Sequence, residues 1–547
     1  IVKAFGNAQS NLLKYAAING SFDTGSGGSP TANPPNYSLS QSYFQSDDPF
    51  AISNALDDIF MQLLKRATSG TAASVLASGE GSGANLVQAV FYPRRRFFEQ
   101  VIEWTGTLQN FWYYIDPFMG NSSIREDSVE DDILNLVNDK TVTFYFDPVA
   151  QITKANLYVN DSTGNPTATY SVIPFEQAKS LWEAGKFLHA VSPGSRTIFT
   201  VTGSYPKGID SGSAFTTTNR PSLESYLGVS GSAADTVINY VRGVDDVNNL
   251  RSRTVQYPTT DVADNTVWKL GDIINSTPRV VASVPLNAYQ KTYSDHTYQQ
   301  FIDNTTYKNR GMVFAGANDG MLHAFKLGKL ELKNDSTYDK AKLVNNGAGN
   351  LGSERWAFIP KNALPYLPAM QDNEYCHLYY VDLASQVFDA SVAGNDISST
   401  PRTQSHWATI LIGGMRFGGA CRDNTATCTD CVKSPLTGKG FSSYFAIDVT
   451  DPETPSVLWE FSDAALGFAT TGPSIVRINA RNASDIPDKS LKGSWYAVFG
   501  SGPTGPISNR QFLGHSDQNL KLFIIDIKTG TLNRTIDTGI PHAFAGS

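Results

Sequence analysis

Three strand–turn–strand units with one internal logic recur in the later part of the chain, and they constrain the fold more than any other feature. The first is MVFAGANDGMLHAF (312–325). The second is TILIGGMRFGG (409–419) followed by SSYFAIDVTDP (442–452). The third is WYAVFGSGPTG (495–505) followed by LKLFIIDIKTG (520–530). In each, an apolar strand ends in Gly, a turn follows, and a second strand ends in Asp or Phe-Lys before another turn. One such unit buries nothing alone, whereas several stacked units bury a continuous core, so the repeat predicts a β-propeller. A β-sandwich of unrelated hairpins is the alternative.

The 547 residues are enough for two to four domains on length alone. Residues 8–22 and the stretch from Asp47 to about Ser69 carry helical spacing, with Pro49 in the first turn of the second. Between them, 23–42 is Gly, Ser, Pro and Asn with few apolar positions, which reads as a linker. Beyond 85 short strands dominate, interrupted by helical passages at 174–188 and 221–242. Charged residues are 17% and aromatics 11%, a balance typical of secreted β-rich surface proteins.

The net charge is −8, from 43 basic and 51 acidic residues, which argues against a general affinity for nucleic acid. The basic run Arg94-Arg95-Arg96 reads as a solvated turn between strands. No apolar stretch reaches the length of a membrane-spanning helix. The first residues, IVKAF, lack the features of a secretion signal, so an exported form implies a processed or truncated piece.

The candidate chemistry is sparse. Asn318-Asp319-Gly320 reads as a hairpin turn, because Gly tolerates the positive φ a tight turn demands. A catalytic Asp319 is the weaker reading, and His323 reads as a packed, hydrogen-bonded histidine. The seven histidines (His189, His296, His323, His377, His406, His515 and His542) form no local zinc pair. No nucleophile elbow, P-loop or dinucleotide fingerprint is present. No catalytic, cofactor or metal-binding residue is therefore assigned. The acid-rich stretch from Arg125 to Asp132 offers oxygen ligands suited to Ca²⁺ but lacks the spacing that wraps an ion, and reads as a solvated loop. Cys376, Cys421, Cys428 and Cys431 are disulfide candidates. Haem attachment through Cys428–Cys431 is excluded by Val432, whereas a zinc site and redox thiols stay open, as does the pairing.

The ordered series GDIINSTPRVV (271–281), VFAGANDGMLHAF (313–325), ERWAFIPKNALPYL (354–367), HLYYVDL (377–383), ILIGGMRFGG (410–419), YFAIDVTDPETPSVLWEF (444–461) and LFIIDIKTG (522–530) resembles the PilC/PilY family of type IV pilus biogenesis and tip-adhesin proteins. Trp104-Thr-Gly-Thr-Leu108 is similar to that family's W-x-G-x-L signature, and LKYAAINGSF (13–22) resembles the end of its von Willebrand factor A domain.

The resemblance implies an all-β-dominated, modified (quinoprotein-like) β-propeller with a few helical insertions and an incomplete ring. It divides the chain into a von Willebrand factor A-like tail (1–22), a linker (23–46), a helical connector (47–84) and the propeller region (85–547). It implies a non-enzymatic adhesin and biogenesis factor at the cell surface or pilus tip, partnered by pilins or minor pilins and by a host or environmental surface. A second chain carrying the rest of the propeller is a further implied partner. The family's Ca²⁺ loop is expected beyond 538–547, so no cofactor is expected in this chain. The Arg-Gly-Asp motif of one family branch is missing, since Val244 follows Arg242-Gly243. Two alternatives remain: a quinoprotein-like dehydrogenase, weakened by the lack of a Cys-Cys pair, and an extracellular fibre or redox component.

Overall fold

The computed structural model describes residues 2–4, 44–46, 74–77, 83–97, 100–117, 122–147, 152–246, 249–258, 263–333, 338–420, 441–505, 507–508, 511–512 and 514–546. The chain divides into two compact units, 1–69 with 146–153, and 70–145 with 154–547. In the first, Val2–Ala4 pairs in parallel with Phe44–Ser46. The expected tail (1–22), linker and helix from Asp47 otherwise lie outside the described residues.

The second unit is mostly β, in several antiparallel sheets. Sheet I is built on the long hairpin Gly83–Phe97 and Gln100–Tyr114, flanked by Ser74–Ala77 and joined by Trp182–Glu183. Sheet II contains Arg279–Ala282, Gly311–Gly316, Leu322–Lys326 and Glu354–Phe358 in consecutive antiparallel order. Sheet III repeats that order with Gln386–Ala390, Ala408–Gly414, Tyr444–Asp448 and Ser456–Phe461. Sheet IV repeats it again with Ser474–Ile478, Ser494–Gly500, Lys521–Asp526 and Leu532–Asp537. The three sequence repeats are thus the central hairpins of sheets II, III and IV.

Strand alternation explains how the sheets pack. Val313 and Ala315 of sheet II join Val87, Ala89, Leu108 and Trp112 of sheet I in one core. The opposite face of the same strand, Met312 and Phe314, packs with Leu411, Phe445 and Ile447 of sheet III. Ile410 and Ile412 then turn the other way, onto Trp495, Ala497 and Phe499 of sheet IV. Each strand in the middle of the stack is apolar on both faces, which is why it reads as a continuous apolar run rather than an alternating one.

The repeat extends to a single bulge and a single side chain. The pairing shifts register after Ala324 in sheet II, after Ala446 in sheet III and after Ile524 in sheet IV. Opposite these stand Trp356, Trp459 and Arg534. Trp356 Nε1 donates to the Pro452 carbonyl of sheet III at 2.8 Å, and Trp459 Nε1 to the Ile527 carbonyl after the third strand of sheet IV at 2.7 Å. From sheet I, Trp182 Nε1 makes the corresponding contact to the Leu327 carbonyl at 3.4 Å. A buried indole N–H needs an acceptor, and here each finds it in the following sheet. Arg534 is exposed instead, and the outer face of sheet IV leaves Val476 at 42%, Ile478 at 56% and Ile536 at 37% exposure. Among the described residues the sheets are not closed into a ring.

The helical passages are shorter and more broken than their spacing predicts. Residues 174–188 split into a turn at Phe175–Gln177, the strand Trp182–Glu183 and a helix Ala184–Ala190, capped by the Glu183 carboxylate. Residues 221–242 form two helices, Arg220–Leu227 and Gly231–Arg242, separated at Gly228, whose φ of 72° ends the first. Both pack on the turn-rich segment Lys361–Gln371. No helix of the described residues is long and apolar enough to cross a membrane.

The basic run is not a turn. Arg94, Arg95 and Arg96 lie within the strand Gly83–Phe97, so alternation sends Arg95 inward while its neighbours stay exposed. The Arg95 guanidinium sits over the rings of Tyr92, Phe97 and Trp268 at 4.4–4.8 Å.

Candidate functional site

Several of the segments that carry the family resemblance, those around Trp104, Gly271, Asp319, Glu354 and His377, meet at one polar junction where sheets I, II and III adjoin. Trp104 takes φ 58°, opposite Pro93, which has no N–H to offer the ladder, and its ring stacks on His377 with centroids 3.8 Å apart. Two residues on, the Gly106 N–H donates to the Leu270 carbonyl at 3.2 Å, and Trp268 Nε1 donates to the Gly106 carbonyl at 3.2 Å. A Cβ on Gly106 would lie 2.3 Å from the Gly271 carbonyl oxygen, so the glycine is required by close approach. Leu108 completes the motif inside the core between sheets I and II.

Gly271 and Asp272 continue the junction. The Gly271 N–H donates to Asp319 Oδ2 at 2.9 Å. Asp272 Oδ2 accepts from Asn318 Nδ2 at 2.7 Å and lies 2.9 Å from His377 Nε2. Asn318 Oδ1 accepts the Tyr380 N–H at 3.0 Å. The Asn-Asp-Gly turn is therefore a hairpin turn, with Gly320 at φ 98°, whose side chains bind two other segments.

Behind the turn lies a closed ionic chain. His323 is fully buried, with Nε2 3.0 Å from Asp319 Oδ1 and Nδ1 2.7 Å from Glu354 Oε1. Glu354 accepts a fork from Arg196, Nε and Nη2 each at 2.9 Å, and Arg196 Nη1 donates to the Arg242 carbonyl at 3.1 Å. Both imidazole nitrogens face carboxylates, so the ring is doubly protonated. Burial works against that charge, but Asp319 and Glu354 outweigh it and lift the His323 pKa to about 9. Burial likewise pushes Glu354 up, while Arg196 and His323 overcome it and hold the carboxyl well below the usual range. Two cations and two carboxylates neutralise each other, as buried charges must.

A second fastener joins sheets II and III. Asp382 accepts from Asn275 N–H at 3.1 Å and Nδ2 at 2.7 Å, and meets Arg416 Nη1 at 3.2 Å. Burial raises the Asp382 pKa to about 6 against the pull of Arg416 and Asn275. Ser276 Oγ accepts the Gly316 N–H at 2.8 Å, and a Cβ on Gly316 would fall 2.2 Å from the Val381 carbonyl.

His323 is packed and hydrogen-bonded as its strand position predicts. Cys376 is half-buried immediately before His377, while Cys421, Cys428 and Cys431 lie outside the described residues. The acid run bears out the solvated reading in part, since Val129, Glu130 and Asp131 are exposed. Arg125, Glu126 and Asp127 are buried, and Asp127 accepts the backbone N–H groups of Asp131 and Asp132 at 3.3 and 3.1 Å. Asp139 accepts from Ser128 and Asn135 N–H, and its burial lifts its pKa to about 7. Both carboxylates are turned onto nearby backbone N–H groups. Among the described residues no group of three or more His, Cys, Asp or Glu side chains is placed to hold a metal.

Sequence reasoning missed Arg196, Glu354, Asp382 and Arg416 as partners. It also missed Asp389, fully buried, which accepts Tyr298 Oη at 2.7 Å, Tyr307 Oη at 2.8 Å and Thr409 Oγ1 at 2.6 Å. A charged residue inside or bordering an apolar strand was the available signal. Among the described residues the junction's acids and bases are committed to one another. It can hold sheets in register.

Fold and junction together define a stacked-sheet β protein whose signature residues fasten consecutive sheets. The chain is distantly homologous to the type IV pilus biogenesis factors PilY1. It is 29% identical over 316 residues to the Type IV pilus biogenesis factor PilY1 homolog of Xylella fastidiosa, covering 55% of this chain and 16% of that protein. It is 24% identical over 376 residues to PilY1 of Pseudomonas aeruginosa strain UCBPP-PA14, covering 65% and 24%. To PilY1 of strain PAO1 it is 28% identical over 291 residues, covering 50% and 18%. The chain thus spans less than a quarter of the length of these relatives. No family model and no solved structure matches it.

Proposed function

We propose that this chain is a non-enzymatic module of a type IV pilus biogenesis factor, exported to the cell surface, where it supports pilus assembly through pilins or minor pilins and presents loops to a host or environmental surface. The observation that carries the reading is the distant homology to PilY1 proteins, together with the convergence of several of the ordered segments on one junction. Those segments fix sheets against each other, which suits a surface module that must hold its shape under pull.

On this reading the four sheets are blades of a modified β-propeller. Their consecutive packing supports it, as does the approach of the first strands Ser74–Ala77, Arg279–Ala282 and Gln386–Ala390 to one another. The exposed Val476, Ile478 and Ile536 support a further polypeptide segment over sheet IV. Intact-mass measurement of the native assembly tests that part. A stable monomer of this chain alone would remove it.

Deleting the gene in its source organism and counting surface pili, with and without pilus retraction, tests the function. Loss of pili that returns when retraction is blocked is the expected result. Normal piliation and normal attachment in the deletion would overturn the reading.

A further inference from the structure

A cavity of about 700 Å³ opens beside the first strands of sheets II and III and reaches the inner face of sheet IV. Its walls mix polar and apolar groups, with Val280, Leu286, Val387, Phe388 and Trp495 as the larger apolar side chains among them. Both strands are edge strands of their sheets, so the cavity is framed by edges and is not a gap in a packed face. Its volume falls within the range of small-molecule sites.

Arg279 is the charged residue among the described residues lining this cavity. Its Nε donates to the Ser385 carbonyl at 2.7 Å, which fixes the plane of the guanidinium and leaves the Nη edge uncommitted. Among the described residues no carboxylate pairs with it, and burial alone pulls its pKa down. Arginine nevertheless stays protonated, so the half-buried cation lacks the counter-charge that such groups normally find. Asn287 and Gln386 add neutral polar groups.

We propose that this cavity binds a small organic carboxylate with an apolar body. The carboxylate meets the Nη edge of Arg279, and the body lies along Val387, Phe388 and Trp495. A planar guanidinium accepts a carboxylate in a two-point fork, and one cation matches one negative charge. An apolar molecule without the charge would leave Arg279 uncompensated, and a cationic one would be repelled.

Calorimetric titration of the whole chain with decanoate, decanol and decylamine tests the proposal. Decanoate is expected to bind at least ~10-fold more tightly than either analogue, the size of a charge-assisted hydrogen-bonded pair. Arg279→Leu should remove that advantage while leaving decanol within about twofold, since only the charged contact is lost. Arg279→Gln repeats the comparison with a side chain that keeps an N–H donor for the Ser385 carbonyl, should the leucine variant fail to fold. Val387→Trp should weaken both decanoate and decanol by filling the cavity, with folding checked by thermal melting. Equal binding of all three probes, no saturable heat with decanoate, or unchanged decanoate binding in both Arg279 variants would each overturn the proposal.

Discussion

Trp459 of sheet III donates its indole N–H to the Ile527 carbonyl of sheet IV at 2.7 Å, and its ring rests on Gly530. The side chain thereby couples the fourth strand of one sheet to the third strand of the next. Trp356 and Trp182 make the corresponding contacts one and two sheets earlier. Trp459→Ala should destabilise the protein by about 3–5 kcal/mol, through lost burial, a residual cavity and an orphaned carbonyl. Trp459→Phe should recover part of this but not the hydrogen bond. Denaturant unfolding of both variants checks the order.

Neutralising one partner in the buried ionic chain should be more damaging than removing a surface pair. Glu354→Gln leaves Arg196 and His323 without their shared carboxylate, and a loss of about 3–5 kcal/mol is expected at neutral pH. The exposed pair Arg481–Asp485, side chains 58% and 85% exposed, is the control. Asp485→Asn should change stability by less than ~1 kcal/mol. Urea midpoints at constant slope give both values.

The same chain makes stability depend on pH in a defined direction. The His323 pKa rises from 6.5 to about 9 on folding, so the folded state binds the proton more tightly than the unfolded one. Its contribution is fully present below pH 6.5 and is lost as pH rises through about 9. A fall on the order of a few kcal/mol across that window is expected. His323→Gln should be less stable at pH 6 and should flatten the alkaline decline. A decline of unchanged steepness in the variant would assign it to other groups.

Gly106→Ala tests whether the W-x-G-x-L motif is geometric. The new Cβ would meet the Gly271 carbonyl oxygen at 2.3 Å, and backbone cannot rotate away as a side chain can. A loss of more than ~2 kcal/mol is expected. Gly203→Ala, where a Cβ meets nothing within 4 Å, should lie within about 0.5 kcal/mol of the wild type. Melting temperatures of the two variants decide it.

The cysteines give a chemical prediction. Cys376, Cys421, Cys428 and Cys431 should yield no reactive thiol in the native protein and four after unfolding with reductant. Thiol titration reads this directly. Reactive thiols in the native state would return the Cys428–Cys431 pair to the zinc or redox readings.

Much of this molecule is local and therefore legible in the chain. The period of the repeat, the Asn318-Asp319-Gly320 turn and the strand-dominated class follow from apolar runs, turn chemistry and a weak charge density, each set by neighbours in sequence. Tertiary structure decided the rest. Arg94–Arg96 reads as a turn by charge, but its strand continues because Arg95 finds three aromatic rings, one of them 173 positions away at Trp268 by the difference of the two numbers. The acid run reads as solvated throughout, but Asp127 turns inward to accept the Asp131 and Asp132 N–H groups, which only the folded turn places there. Glu354 meets Arg196, and Trp459 meets Ile527, across separations that no local pattern encodes. A side chain's role depends on what desolvates it and what then pairs with it, and the folded chain settles both.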